Sequence, residues 1–194
     1  VRAVVPLGAE VLCAADAHIA RAELGAHGFV NGVTMRTWRR GAEIVDRDAI
    51  SQMYAPDMGP FLVPTAAISV ENTHNFAGGA VVPLDDLQWL RSFTRERGCA
   101  IHLDGARIWN AHVATGTPLS SYGACAEVMA VCLSKGLGAP VGSLMVGSQS
   151  VIGEARVWRK RLGAGMRQVG MLAAAGLFAL EHNVERLADD HAHA

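Results

Sequence analysis

Apolar positions along the chain follow two alternating patterns. Short runs, "EVLCAAD" (10–16), "VTMRTW" (33–38), "TAAISVE" (65–71), "CAIHLD" (99–104), "EVMAVCL" (127–133) and "GSLMVG" (142–147), have the length and density of buried strands. Between them lie segments with helical signals at 46–55, 83–98, 106–116, 151–162 and 167–191. "DRDAISQMYA" opens on an aspartate. "PLDDLQWLRSFTRERG" starts with Pro83 and two acids, carries Arg95 and Arg97 in its last turn and stops at Gly98. Strands alternating with helices at this spacing predict an α/β domain, a mainly parallel sheet flanked by helices. No internal repeat or low-complexity linker divides residues 1–194.

In open parallel sheets, ligands collect beyond the carboxyl ends of the strands. Polar residues follow four of the predicted strands: Asp16 and His18; Glu71, Asn72, His74 and Asn75 with Gly78 and Gly79 behind them; Asp104 and Arg107; Ser134 and Lys135. That clustering is the site hypothesis.

Composition narrows the possibilities. Apolar residues make up 51% of the 194 and charged ones 18%, which predicts a large core, an oligomer interface, or both, and excludes disorder. Seventeen basic and eighteen acidic residues leave no net field, so neither a nucleic-acid face nor an acidic tail is expected. The four cysteines, at 13, 99, 125 and 132, form no CxxC pair and lie mostly in apolar runs, which favours reduced core thiols of a cytoplasmic protein over disulfides or a metal site. "GMLAAAGLFAL" (170–180) falls short of the about 18 apolar residues of a membrane span. No signal-peptide layout or initiator Met opens the chain, so a piece of a longer protein is expected.

"AVCLSKGLGAPVGSLMVG" (130–147) places Lys135 between an apolar run and a loop of small residues. Lys135 reads either as a surface strand terminus or as a nucleophile, with small neighbours leaving room for a flat cofactor. Asp104, before Gly105, reads either as an N-cap for a helix near Ala106 or as a carboxylate aimed at a ring nitrogen. An aspartate and a lysine 31 residues apart, at two strand ends, suit pyridoxal phosphate (PLP) chemistry, in which the carboxylate keeps the pyridine protonated.

"VENTHNFAGGAVVPL", "HLDGARIWNAHVATG", "CLSKGLGAPVGSLMVG" and "WRKRLGAGMRQVGMLAAAGLFALEHN" occur in one order along the chain. Together they resemble the low-specificity L-threonine aldolases, fold type I PLP enzymes of the aromatic amino acid β-eliminating lyase group. The resemblance implies the aspartate aminotransferase-like large domain. It also implies retro-aldol cleavage of β-hydroxy-α-amino acids, threonine giving glycine and acetaldehyde, by a homodimer or homotetramer. Lys135 matches the lysine that holds PLP, and Asp104 the partner of the pyridine nitrogen. Arg107 matches an arginine for the substrate carboxylate, and His18, in "AADAHIARAELGA", a histidine stacked on the cofactor. His74 matches a histidine near the substrate hydroxyl, acting as base or holding a water. Ser134 is a candidate phosphate contact, and Arg167, in "GAGMRQ", belongs to an active-site loop at the subunit interface.

Family members are longer. The resemblance makes residues 1–194 the central part of the PLP-binding domain, with the N-terminal arm and phosphate-binding loop before it and a C-terminal small domain after it. The competing readings are another PLP-dependent β-eliminating lyase and an inactive oligomer partner. His27, His112, His182, His191 and His193 have no motif behind them, and His102 reads as a core side chain. "DDHAHA" at 189–194 reads as a solvated helix end, so no metal site is expected. "SKGLG" is no P-loop, because its lysine precedes the glycines.

Overall fold

The computed structural model describes residues 1–41 and 43–194. Strands β1 (Glu10–Ala14), β2 (Thr34–Trp38), β3 (Thr65–Glu71), β4 (Ala100–Gly105), β5 (Val128–Cys132) and β6 (Ser143–Gly147) form one sheet in the order β2-β1-β3-β4-β5-β6. All pairings are parallel except β5 with β6. The described helices are α1 (His18–Arg21), α2 (Ala26–Phe29), α3 (Arg47–Met53), α4 (Leu84–Arg95), α5 (Ile108–Thr115), α6 (Leu119–Ala124), α7 (Gln149–Arg161), α8 (Gly170–His182) and α9 (Leu187–His193). Every strand expected from the apolar pattern is present, and the sheet is mainly parallel, flanked by helices.

Strands β1 and β3 read as near-continuous apolar runs because both sheet faces are covered: every β1 residue is buried. Leu12, Ile68, Leu103 and Val131 enter the larger core with Leu87, Leu90 and Phe93 of α4 and Tyr122 of α6. Val11 and Ala67 turn to a smaller cluster with Val5 and Val33. Helix α3 starts where expected, with the Asp46 carboxylate accepting the Ala49 N–H at 2.8 Å.

Two expectations are corrected. The C-terminal helix expected over 167–191 is broken into α8 and α9. The Asn183 side-chain amide donates to Leu137 O at 2.7 Å, and the chain bends so that Leu187 is fully buried against the cluster of Leu133, Leu137 and Ala139. Asp104 is no N-cap of α5: it belongs to β4, its Oδ1 accepts the Ala106 N–H at 3.1 Å, and the helix begins only at Ile108. The segment after β1, for which the sequence predicted no element, forms α1 and α2, and α6 likewise had no apolar period to announce it.

The high apolar content is only partly absorbed by the core. Helix α7 buries no residue, α8 buries only Gly176 and Ala179, and Met171, Leu177 and Phe178 stand exposed. Among the described residues no helix is long and apolar enough to cross a membrane.

Candidate active site

The strand order changes direction between β1, whose next strand in sequence lies to one side, and β3, which lies to the other. A ligand is expected at such a switch point, outside the carboxyl ends of the strands. A cavity of about 310 Å³, a volume at the low end for small-molecule sites, lies between the segment that follows β1 and strands β4 and β5. It is lined by His18, Ile19 and Glu23 after β1, His102 and Asp104 of β4, Ala106, Ala130 and Cys132 of β5, Lys135 and Ser143.

Three of the residues expected from sequence therefore converge: His18, Asp104 and Lys135. Each stands just beyond or at the end of a different strand. His18 opens α1, and its Nε2 donates to Glu23 Oε1 at 2.6 Å, which orients the imidazole at the cavity edge. Lys135 is exposed in the turn after β5, closed by Gly138 N to Lys135 O at 2.9 Å with Gly138 at φ +74°. The small residues around it have structural partners. A Cβ on Gly136 would fall 2.8 Å from Leu187 Cδ2, and one on Gly142 would crowd Leu133.

Burial pushes the Asp104 carboxyl above its ordinary range, and the neighbouring Glu71 carboxylate adds to this. The Ala106 N–H and the cationic side chains of His18 and Lys135 act in the opposite sense. Among the described residues it has no ion pair. An acid held in a cavity without a cation partner is a fitting mate for a protonated ring nitrogen. Ala106 and Ala130, which also line the cavity, present only methyl groups there. The residues present thus fit the ring end of PLP.

His102 belongs to both the core and the site. Its Nδ1 meets Ser69 Oγ at 2.9 Å, burial pushes its pKa down to about 3, and its ring still borders the cavity. A neutral imidazole there adds no charge beside Asp104.

Other expected residues stand apart from the cavity lining. His74 is fully buried one layer back, its Nε2 3.6 Å from Asp16 Oδ1 and its Nδ1 4.0 Å from Glu71 Oε2, and neither nitrogen has a hydrogen-bond partner. Asp16 is held by Arg40 Nε at 2.8 Å. Arg107 precedes α5, half-buried, with no ion pair among the described residues. Ser134 is exposed beside Lys135, and Arg167 is exposed in the turn between α7 and α8.

Sequence reading passed over Ala130 and Cys132 as site residues, and Glu71, named within the polar cluster after β3, does not line the cavity. The period-2 alternation of strands holds the signal: His102 and Asp104 share one face of β4, and Ala130 and Cys132 the same face of β5. Asn72 of "ENTH" is structural. Asn72 Oδ1 accepts the Val82 N–H at 3.1 Å and its amide donates to Val82 O, tying the end of β3 to the approach to α4.

The sequence matches the beta-eliminating lyase family over residues 1–194. It is 49% identical over 144 residues to the low specificity L-threonine aldolase of Escherichia coli (strain K12), covering 74% of this chain and 42% of that protein. It is 40% identical over 186 residues to low-specificity L-threonine aldolase 1 of Arabidopsis thaliana, covering 95% and 52%. The chain spans about half the length of the curated relatives it matches. Leishmania major threonine aldolase superimposes with a TM-score of 0.76 at 17% identity over 96% of this chain and 54% of that structure. An aminotransferase from Staphylococcus aureus gives 0.72 at 16% identity over 97% and 49%. At such identities the structural likeness speaks for the fold alone.

Proposed function

Since the chain belongs to the beta-eliminating lyase family, we propose that the protein is a PLP-dependent lyase that cleaves the Cα–Cβ bond of β-hydroxy-α-amino acids. L-Threonine and L-allo-threonine would give glycine and acetaldehyde. One observation carries the reading: Lys135, Asp104 and His18, from three separate strand ends, border a single cavity. The relatives at up to 49% identity, named for threonine cleavage, choose the reaction within the family.

The bound cofactor supplies an electron sink for the pair released when the Cα–Cβ bond breaks. Lys135 Nζ is the attachment point. Asp104 would keep a proton on a bound ring nitrogen, and its partial burial would strengthen that contact. His18, its Nε2 held by Glu23, would stack on a bound ring. Arg107 offers its forked guanidinium to the substrate carboxylate, which selects the bond set perpendicular to the ring. His74 lies a layer deeper and acts on the β-hydroxyl proton through an intervening water. Ser134 would contact the phosphate, and Arg167 would serve the site of a second subunit. The exposed apolar side chains of α7 and α8 favour a homodimer or homotetramer, and the four free thiols favour a cytoplasmic protein.

Borohydride reduction in the presence of PLP followed by peptide mapping tests the reading. The chain has two lysines, Lys135 and Lys160. The tag is expected on Lys135, and loss of labelling in Lys135→Ala completes the test. A tag on Lys160, or none, refutes cofactor attachment. Ammonia release in place of glycine and acetaldehyde refutes the aldolase assignment.

A further inference from the structure

Glu71 ends β3 almost wholly buried, yet it is neither at the cavity surface nor in an ion pair with Lys or Arg among the described residues. Both of its oxygens are used. Oε2 accepts the backbone N–H of His18 at 2.9 Å, across 53 residues of sequence, and Oε1 accepts that of Asn75 at 2.9 Å. These two amides open α1 and the 3₁₀ turn Asn75–Ala77. Neither turn has a side-chain cap of its own: Ala17 precedes the first and His74 the second, without a side-chain bond. One carboxylate from β3 thus stands in for two missing caps, spanning the switch point of the sheet. In register beside it on β4 lies Asp104.

We infer that Glu71 is a positioning residue, whose two hydrogen bonds fix the backbone of His18 and of the His74–Asn75 corner relative to Asp104. Only a carboxylate accepts on both oxygens; an amide must present a donor to one of two N–H groups. The functional part rests on the cofactor role proposed for His18, whereas the structural part is read without cofactor.

The first test is amide hydrogen exchange on cofactor-free Glu71→Gln. Loss of a charge-assisted hydrogen bond is expected to accelerate exchange about 10- to 100-fold in 18–21, in 75–77, or in both, with the amides of β3 and β4 unchanged. Unchanged exchange in both segments, or loss of the whole fold, overturns the inference. In the wild-type protein, hydrogen-bond scalar coupling from the His18 and Asn75 amide nitrogens to the Glu71 carboxyl carbon is expected, and its absence from both overturns it independently of any variant. The second test is a PLP-affinity cycle by fluorescence titration. Glu71→Gln is expected to weaken binding in the native background and to have no further effect in His18→Ala. An equal loss in both backgrounds shows that Glu71 does not act through His18. If His18→Ala alone leaves PLP affinity intact while the exchange result holds, the cofactor role of His18 fails and the anchoring by Glu71 stands.

Discussion

Replacing Gly136 with alanine probes what shapes the turn that carries Lys135. The new Cβ would lie 2.8 Å from Leu187 Cδ2 and 3.5 Å from Asn110 Oδ1. Leu187 is fully buried with Leu133, Leu137, Ala139 and Ala179, so its side chain cannot swing away freely. Overpacking of this kind costs about 1–3 kcal/mol. The backbone of Gly136 lies outside the left-handed region, so alanine also restricts the unfolded chain, a gain of about 0.4–1 kcal/mol. The net expectation is a loss of roughly 1–2 kcal/mol. Leu187→Ala alone empties a buried leucine site and costs about 2–5 kcal/mol. Combined, the two changes relieve the clash, and the double variant is expected to fall about 1–2 kcal/mol short of the sum. Equilibrium urea denaturation followed by far-ultraviolet dichroism and by the fluorescence of Trp109, which packs on the Leu187 cluster, measures the cycle. Reductive PLP labelling of Lys135 should slow in Gly136→Ala and recover in the double variant. Additivity within about 0.5 kcal/mol, with labelling unaffected, would refute the view that α9 sets the position of Lys135.

Two further expectations concern groups around the cavity. Burial, and secondarily Glu71, raises the Asp104 pKa, so, relative to the unfolded chain, folding shifts this group towards its neutral form. Its contribution to stability is complete below the ordinary value of 3.8 and is lost as pH rises through the raised folded value. Asp104→Asn should therefore melt above the native protein at neutral pH, the gap closing in acid, while binding PLP more weakly; a variant less stable at neutral pH contradicts this. Thiol mapping with an alkylating reagent at pH 8 should modify Cys132, on the cavity wall, ahead of Cys13 and Cys99, which burial pushes up to about 12. Cys13 reacting first would count against the described packing.

Residue order alone determines much of this protein. Period-2 and continuous apolar runs place all six strands; β1 is nearly all apolar because it is buried on both faces, whereas β2 and β6 stand at the sheet edges and are largely exposed. Asp46, the Asp85–Asp86 pair and Gly98 mark helix ends because capping is local chemistry. Lys135, Asp104 and His18 could be singled out because each lies at or a few residues past the end of its strand, and a parallel sheet gathers such ends on one side. Tertiary structure decided whatever depends on contacts between distant segments. Leu187 fills the space at Gly136, which spacing alone ascribed to a ring. The Asn183 contact and the burial of Leu187 break a helix whose apolar spacing continues through Leu180, Val184 and Leu187. His74, polar and beside a predicted strand end, is carried into the interior between Asp16 and Glu71. Glu71 itself looks in sequence like one more polar residue after a strand. Only the pairing of β1 with β3 brings the His18 amide, 53 residues away, within reach of its carboxylate.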